Sequence, residues 1–452
     1  MTKEERIKLI EESKHHKVKI ASTDIDGILR GKMILKEKFL EIALSDFGFC
    51  DVIFGWDAND RCYTNSDFTG WHTAYPDAKA QIDLSTYRTI PWNDELPFFL
   101  ADFSNDNGEG LDICPRTLLK RIRLKATQMG IKPVFAQEFE WFNFLASSND
   151  LNASGFNDLK PITSGMFGYS MLRPSQYQAY FNELFDFMKQ FNVPLEGLHT
   201  ETGPGVYEAA IRYDEVLAAA DKAVLFKNGV KEIAYRHGII ASFMAKWNAD
   251  LPGCSGHLHQ SLWSLDGEKN LFFSEDKKER MSDVMESYLA GILFCMPYVM
   301  PMYAPTVNSY KRLRDGAWAP TTVSWGYENR TAAVRVIEGS EKAMRMELRI
   351  PGSDTNPYLA MAASLASGLY GIQNKLKLDK SASVGNAYAQ IELEKLSNNL
   401  FDANHKMKNA DIAKELFGEK FVHHFCQTRE WEWMEYSKAV TNWELKRYFE
   451  II

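Results

Sequence analysis

Three pairs of polar side chains, each with its two members separated by one residue, place the strongest constraint on how this chain can fold. The pairs are Glu138 and Glu140, His257 and His259, and Glu347 and Arg349. Each pair lies in a short stretch with the composition of a β-strand, in which residues i and i+2 project from the same face. Three such strands can direct carboxylates, imidazoles and a guanidinium into one cavity. That cavity would suit divalent cations and a phosphorylated substrate.

The composition is typical of a globular protein that acts on small molecules. The chain has 452 residues, of which 45% are hydrophobic and 25% are charged, and its formal net charge is -8. This length exceeds the usual span of about 100 to 200 residues per domain, which predicts one large and one small domain. The net negative charge argues against a nucleic-acid-binding protein, which usually carries a cluster of basic residues.

The cysteines and the apolar segments predict a cytoplasmic protein without a membrane span. Six cysteines are scattered without CxxC spacing, which argues against a zinc site and a disulfide framework and favours a reducing compartment. The first residues lack the apolar stretch of a secretory signal. The longest apolar run, from Tyr288 to Tyr303, contains two prolines and is shorter than the roughly 20 residues that span a bilayer. We therefore expect this run to form a buried helix.

The hydrophobic pattern changes near Cys114, from strand-like to helical. Before this point the pattern predicts a helix over Glu4 to Ser13, strands over Val18 to Thr23 and Arg30 to Leu35, and short strands between Phe54 and Pro97. After it, apolar residues at helical spacing predict a helix over Pro115 to Met129 and a second helix that opens at Pro174 and Ser175. Each of these two helices precedes a strand that carries acidic residues.

Two further acids, Glu201 and Glu208, lie on either side of the segment Thr202-Gly-Pro-Gly-Val-Tyr207. Its glycines and proline force a tight, irregular backbone, which can bring both carboxylates back to one point. Any one of these glutamates taken alone is more often a solvated surface residue. The set of five carboxylates and His257 is more specific, because Mg²⁺ takes oxygen ligands and Mn²⁺ also accepts histidine. We therefore predict a divalent metal site.

Arginines cluster in the following segment of the chain. They include Arg312, Arg330, Arg335, Arg345 and Arg349, interleaved with proline and tryptophan rather than set at helical surface spacing. Planar guanidinium groups match carboxylate and phosphate oxygens, so the cluster can hold a transferring phosphoryl group or an amino-acid carboxylate. A solvated basic face is the alternative, and it would be rich in lysine. No Walker A loop or GxGxxG motif is present, so any nucleotide site is of another kind.

Six motifs, in this order, resemble the glutamine synthetase superfamily. They are Gln137-Glu-Phe-Glu-Trp141, His199-Thr-Glu-Thr-Gly-Pro-Gly-Val-Tyr-Glu208, Gly253-Cys-Ser-Gly-His-Leu-His-Gln-Ser-Leu262, Asn308-Ser-Tyr-Lys-Arg-Leu313, Glu328-Asn-Arg-Thr-Ala-Ala-Val-Arg335 and Glu347-Leu-Arg-Ile-Pro351. The resemblance runs from about Val134 to Ile372. A looser match precedes it, through Asp24-Ile-Asp-Gly27 and Tyr75-Pro-Asp77.

The resemblance implies an α+β fold in two domains. An N-terminal β-grasp domain would occupy residues 1–107, and a glutamine synthetase catalytic domain, a curved antiparallel sheet flanked by helices, would occupy residues 108–452. It also implies a homo-oligomer of stacked rings, expected as a dodecamer, with active sites at subunit boundaries. The implied chemistry is ATP-dependent ligation of glutamate to an amine through a γ-glutamyl phosphate, with Mg²⁺ or Mn²⁺ as the cofactor.

The resemblance further implies roles for the residues at matching positions. One metal would be held by Glu140, Glu201 and Glu208, and the second by Glu138, His257 and Glu347. The substrate glutamate would contact Gly253, Arg312 and Arg349, and the transferring phosphate would contact Arg330 and Arg335. The nucleotide would lie beside His259, Ser261, Lys342 and Arg345. Asp57 matches the aspartate that one subunit offers to its neighbour's ammonium site.

Three substitutions distinguish the chain from relatives that use ammonia. Trp318 stands where those relatives carry a glutamate, in the flap segment Asp315-Gly-Ala-Trp-Ala-Pro320. A tryptophan cannot accept a proton, although its face attracts cations. Val206 replaces an expected glutamine, and Pro252 replaces an expected asparagine. More apolar pockets for the nucleophile and for glutamate favour an organic primary amine, with Trp318 as a substrate-binding residue.

Three alternatives remain open. The first is an ordinary glutamine synthetase, in which another flap acid such as Asp315 transfers the proton. The second is a catalytically silent, ring-forming structural or regulatory relative, which would be expected to have lost metal ligands. The third is a ligase for a different acid substrate, which Pro252 would permit, although Arg312 and Arg349 favour an α-carboxylate.

Overall fold

The computed structural model describes residues 1–105 and 107–452. A five-stranded sheet forms the first part of the chain. Its strands are β1 (Lys17–Thr23), β2 (Leu29–Leu35), β3 (Phe47–Cys50), β4 (Asp77–Ile90) and β5 (Leu96–Ser104). Their spatial order is β2-β1-β5-β4-β3, with β1 parallel to β5 and the other neighbours antiparallel. Two helices, α1 (Lys3–Glu11) and α2 (Lys36–Ile42), pack their buried residues Ile10 and Phe39 into a small core with this sheet.

The prediction of several short strands between Phe54 and Pro97 is wrong. The segment from Asp77 to Ile90 forms one 14-residue strand, whose register against β5 shifts between Asp83 and Arg88. This register shift lets the strand bend at that point. The strand therefore continues through polar residues that would otherwise indicate its end. The sheet precedes the predicted domain boundary at residues 107 and 108. The boundary itself and the β-grasp assignment stay predictions.

A nine-stranded sheet forms the centre of the second part. Its strands are β6 (Ile131–Leu145), β7 (Leu195–Thr200), β8 (Val206–Ile211), β9 (Asp214–Glu215), β10 (Ile239–Ser242), β11 (Leu258–Ser264), β12 (Trp325–Tyr327), β13 (Val334–Ile337) and β14 (Arg345–Leu348). The main order is β12-β13-β14-β11-β6-β8-β7, and β9 and β10 also pair with β6. All pairs are antiparallel except β12 with β13. The α+β class is confirmed.

Helices surround this sheet. They are α3 (Pro115–Gln128), α4 (Ser148–Ser154), α5 (Leu172–Ser175), α6 (Gln178–Gln190), α7 (Val216–Arg236), α8 (Asp283–Tyr303), α9 (Ser309–Arg312), α10 (Pro357–Gln373), α11 (Leu400–Asn409), α12 (Asp411–Phe417), α13 (Glu419–Ser437) and α14 (Asn442–Tyr448). The helix expected to open at Pro174 is instead divided, because Tyr177 has a non-helical backbone at φ -127° and ψ 37°. Single 3₁₀ turns occur at Asp51–Phe54, Pro91–Asn93 and Ala387–Ala389.

Helices α8 and α10 form the most apolar part of the core. Their backbones approach so closely that a Cβ on Gly291 would lie 2.3 Å from the carbonyl oxygen of Ser367 and 2.6 Å from the nitrogen of Gly371. Among the described residues, α8 is the one helix long and apolar enough to cross a bilayer, but 78% of its most apolar window is buried inside the protein. The run from Tyr288 to Tyr303 is therefore a buried helix, as predicted.

Arg116 joins the first sheet to helix α7 through a buried network of charges. Its guanidinium donates to Asp221 on α7 at 2.8 and 2.9 Å, to Asp102 on β5 at 2.7 Å and to Asp83 on β4 at 2.9 Å. Although burial favours the neutral acid, Arg116 and Lys120 hold the pKa of Asp83 well below its usual range. The arginine therefore binds carboxylates from two neighbouring strands and from a helix more than 100 residues further along the chain.

We predict that Arg116→Met destabilises the protein by about 3 to 5 kcal/mol, because it leaves buried carboxylates without their cation. The measurement is the midpoint of chemical unfolding at one fixed protein concentration. Lys38→Met is the matched control, because Lys38 is exposed and, among the described residues, forms an ion pair only with the exposed Glu41. Equal midpoints for the two variants would contradict a stabilising role for Arg116.

Candidate active site

Strands β14, β11 and β6 are neighbours in the sheet, and they bring the three sequence pairs together. His259 on β11 lies opposite Glu347 on β14, and the backbone nitrogen of Glu138 donates to the carbonyl oxygen of His257 at 3.2 Å. His257 precedes β11 by one residue and Arg349 follows β14 by one residue. Both residues keep backbone hydrogen bonds to neighbouring segments. His257 accepts the bond from Glu138, and the nitrogen of Arg349 donates to the carbonyl oxygen of Ala333 at 2.9 Å.

Glu138, His257, His259 and Glu347 form the first acidic cluster. The Nδ1 atom of His257 lies 2.9 Å from Glu138 Oε1 and 3.2 Å from Glu347 Oε1, and His259 Nε2 lies 3.3 Å from Glu138 Oε2. Burial favours the neutral acid, but His259 and His257 hold the pKa of Glu138 well below its usual value. Burial and Arg349 lower the pKa of His257, so the neutral imidazole is favoured as a metal ligand.

Glu140, Glu201 and Glu208 form the second acidic cluster, together with His199. Glu140 lies opposite Glu208 in the pairing of β6 with β8, and His199 Nε2 lies 3.0 Å from Glu201 and 3.6 Å from Glu208. Burial and the charge of Glu201 raise the pKa of Glu140 to about 7, although the backbone N–H of Ser255 opposes the shift. Burial and the charges of neighbouring glutamates raise the pKa of Glu208 to about 11. Carboxylates this close repel one another.

Divalent cations fit both clusters. The ligand atoms of Glu138, His259 and Glu347 lie within 4.8 Å of one another, and so do those of His199, Glu201 and Glu208. Oxygen-rich sets with one imidazole suit Mg²⁺ or Mn²⁺. A bound cation would also offset the repulsion that raises the pKa of Glu208. His257 and His259 both approach the first cluster, so the geometry leaves open which imidazole would be the ligand.

His199 is a site residue that the sequence reasoning missed. It stands two residues before Glu201 on β7, so the same i, i+2 rule that selected the other pairs would have found it. Its ring stacks on Tyr169 with a centroid distance of 4.5 Å and an interplanar angle of 2°. Tyr169 lies in a segment without a strand or helix signal, and only the fold brings it to the cluster.

The candidate substrate arginines lie beside the first cluster. Arg349 pairs with Glu347, and its Nε donates to the carbonyl oxygen of Arg330 at 3.1 Å. Arg335 bridges Glu347 at 3.1 Å and Glu328 at 2.9 Å. Arg330 itself is exposed. These contacts place the guanidinium groups of Arg335 and Arg349 at one edge of the acidic cavity.

Arg312 is buried without an ion-pair partner among the described residues. It donates to the carbonyl oxygens of Ile350 at 2.8 Å and Arg349 at 3.1 Å, and to Ser255 Oγ at 3.1 Å. Its aliphatic stem fills the space beside Gly253, where a Cβ would lie 2.8 Å from Arg312 Cγ and 2.5 Å from the carbonyl oxygen of Ala245. Among the described residues, its hydrogen bonds go to carbonyl and hydroxyl oxygens and not to a carboxylate, so this buried cation can receive an anionic substrate group.

The four residues predicted on the nucleotide side line one cavity of 570 Å³, together with Glu138. They are His259, Ser261, Lys342 and Arg345. Arg345 Nε also donates to His259 Nδ1 at 3.3 Å. Two aromatic side chains that the sequence reasoning missed, Tyr213 and Trp263, line the same cavity and offer flat apolar surfaces.

Asp57 lies away from these groups within the chain. Its Oδ1 accepts from the backbone nitrogens of Asn59 at 2.8 Å and Arg61 at 3.0 Å, and its Oδ2 accepts from Trp431 Nε1 on α13 at 2.9 Å. Among the described residues it has no hydrogen bond or ion pair with either cluster. Its contribution to a neighbouring subunit stays a prediction.

The positions that depart from the ammonia-using pattern have different surroundings. Trp318 is 66% exposed and has a left-handed backbone at φ 57°, while its carbonyl oxygen accepts from Arg349 Nη2 at 3.3 Å. Val206 is buried in an apolar cluster with Phe142, Phe144 and Cys254. Phe142 follows Glu138 and Glu140 on the same face of β6, so this cluster forms an apolar wall beside the acids.

Comparison with known proteins identifies the family. Residues 112–448 match the family model described as glutamine synthetase, catalytic domain. The chain is 52% identical over 443 residues to "Type-1 glutamine synthetase 2" of Dictyostelium discoideum, covering 97% of this chain and 85% of that protein. It is 40% identical over 438 residues to the glutamate–isopropylamine ligase of a Pseudomonas species, covering 96% and 95%. The solved structure of a GmaS/ADP complex superposes with a TM-score of 0.85 at 27% identity and covers 98% and 99% of the two chains.

We predict that binding of Mn²⁺ to the metal-free protein at pH 7 releases protons. Glu208, and partly Glu140, hold protons at this pH because their pKa values are about 11 and about 7. Metal ligands must be deprotonated, so affinity rises with pH from 6 to 8. Titration calorimetry in two buffers of different ionisation enthalpy counts the protons. Binding of Mn²⁺ to the Glu208→Gln variant should release about one proton fewer than binding to the wild type. The Glu183→Gln variant, whose substitution lies outside the site, should release as many protons as the wild type. Binding without proton release would contradict the prediction.

Proposed function

The chain belongs to the glutamine synthetase family, and we propose that it is the form of this ATP-dependent glutamate ligase that uses an organic primary amine in place of ammonia. The observation that carries the proposal is Trp318. Its indole ring stands at the flap position of the acid in ammonia-using relatives, and Arg349 holds its backbone at the edge of the site. An indole cannot take a proton from ammonium, but it can pack against an apolar amine.

The proposed roles of the side chains are those that the resemblance to the family implies, and the grouping of the acidic residues supports them. Glu138, His257 and Glu347 would hold one divalent cation, and Glu140, Glu201 and Glu208 would hold the other. Bound there, the cations would neutralise charge on the phosphates of ATP. His259, Ser261, Lys342 and Arg345 would hold the nucleotide, Arg330 and Arg335 the transferring phosphoryl group, and Gly253, Arg312 and Arg349 the glutamate.

The reaction has two steps. An oxygen of the γ-carboxylate of glutamate attacks the terminal phosphorus of ATP, ADP leaves, and a γ-glutamyl phosphate forms. The neutral amine nitrogen then attacks the acyl carbon, a C–N bond forms, and phosphate leaves with the electron pair of the C–O bond. The amine gives up a proton in this step, and Asp57 of a neighbouring subunit is the proposed acceptor. The proposed assembly is a cytoplasmic homo-oligomer, a dodecamer of stacked rings.

A glutamine synthetase that uses ammonia is the second candidate, and the 52% identity to a protein named as a glutamine synthetase favours it. In that case Asp315 would be the flap acid. Asp315 is exposed, accepts from Thr321 Oγ1 and lies 3.7 Å from Lys395. Retention of both acidic clusters argues against a silent relative. Arg312 is buried and has no ion-pair partner among the described residues, which argues for a carboxylate substrate.

We predict that glutamate-dependent phosphate release from ATP is faster with at least one alkyl, aryl or hydroxyalkyl amine than with ammonium. The measurement is kcat/KM over a panel of amines, with ammonium as the reference. Fastest turnover with ammonium would overturn the amine proposal in favour of the second candidate. Absence of phosphate release with every nucleophile would support the silent alternative.

We also predict that Trp318→Glu raises kcat/KM for ammonium, relative to the best organic amine, by about tenfold or more, because it restores a proton acceptor to the flap. Trp318→Gln is the matched control, since it removes the ring without adding a charge. An equal change of the ratio in both variants would mean that loss of the ring, and not gain of the carboxylate, is responsible.

A further inference from the structure

A cavity of 480 Å³ lies beside Trp318 and is separate from the nucleotide cavity. Its walls include the indole of Trp318, the ring of Tyr327, and Ala382 and Val384 from the loop before the last 3₁₀ turn. Arg330 also lines it, so the cavity adjoins the group proposed to hold the transferring phosphate. An amine that attacks the acyl phosphate would have its substituent in this space.

Hydrogen bonds join the loop that carries Ala382 and Val384, which forms one wall of the cavity, to the residues on either side of Arg330. Asn329 Nδ2 donates to the carbonyl oxygens of Ser383 and Gly385, both at 2.9 Å. The backbone nitrogen of Ala387 donates to Thr331 Oγ1 at 2.9 Å. Because both ends of the loop are tied to residues that flank Arg330, the wall is formed before any ligand binds.

The charges that line the cavity are unequal. Its one lining carboxylate among the described residues, Glu328, forms two hydrogen bonds with the guanidinium of Arg335, which opposes its negative charge. Arg330 is exposed and has no ion-pair partner among the residues that the structure describes. Within the part of the chain that the structure describes, the cavity therefore presents a guanidinium without an ion-pair partner, and its carboxylate already has one.

We infer that this cavity holds the tail of the amine substrate and selects tails without a charge, so that monoamines are preferred to α,ω-diamines. The inference rests on the proposed function. An alkyl tail gains contact with Trp318 and Val384 as it leaves water. A second ammonium group would lie near Arg330 without a carboxylate partner. The face of Trp318 attracts cations, but that attraction is weak at an exposed ring and is opposed by the nearby guanidinium.

The first test compares n-butylamine with 1,4-diaminobutane, which have the same carbon chain, on the wild-type protein. Glutamate- and amine-dependent phosphate release is measured at equal concentrations of the neutral amine. The expected kcat/KM for butylamine is about tenfold higher. Equal values for the two amines would overturn this inference and leave the proposed function intact. Faster turnover with ammonium than with every amine of the panel described above would instead overturn the proposed function.

The second test places a carboxylate in the cavity. Val384 is 85% exposed, so Val384→Asp does not disturb the core. We predict that it shifts the kcat/KM ratio toward 1,4-diaminobutane by about fivefold, the size expected of an exposed ion pair. The isosteric Val384→Asn should leave the ratio unchanged, and added salt should reduce the shift in the aspartate variant. An unchanged ratio in Val384→Asp, or an equal shift in Val384→Asn, would overturn the inference.

Discussion

The strand register around β6 is the constraint on which the whole site depends. Pairing with β8 sets Glu140 opposite Glu208, and pairing with β11 carries His259 to a position opposite Glu347 on β14. A slip of one residue would turn every side chain of β6 to the other face. The buried residues of β6 prevent this slip, since Phe139 stacks on Phe226 of α7 on the side away from the acids.

The charges of the site are balanced in two different ways. Glu347 is 1% exposed and has guanidinium partners in Arg335 and Arg349 within the chain. Glu208 has no arginine or lysine partner among the described residues, and its pKa is raised by burial and by the neighbouring glutamates. One cluster is thus largely neutralised by the fold, while the other lacks positive charge that divalent cations would supply.

Local sequence pattern predicted the secondary-structure elements better than it predicted which residues contact one another. The strand character of β6 and the helical period of α3 follow from alternation and from 3.6-residue spacing, and both elements form where expected. The long strand β4 was missed because polar residues on its exposed face looked like turns. Tyr169 was missed because its position depends on a ring contact with His199, 30 residues away, that no local pattern encodes.

The sequence by itself determined the family, the fold class and the residue types that can form the two acidic clusters, because ordered motifs and i, i+2 spacing depend only on local covalent geometry. Only the tertiary structure decided which charges are free. It pairs Glu328 with Arg335, leaves Arg330 exposed and without an ion-pair partner among the described residues, and leaves Trp318 largely exposed while Arg349 holds its carbonyl oxygen. The physical reason is that such partners lie on different strands and loops, and only the packed fold brings them within bonding distance.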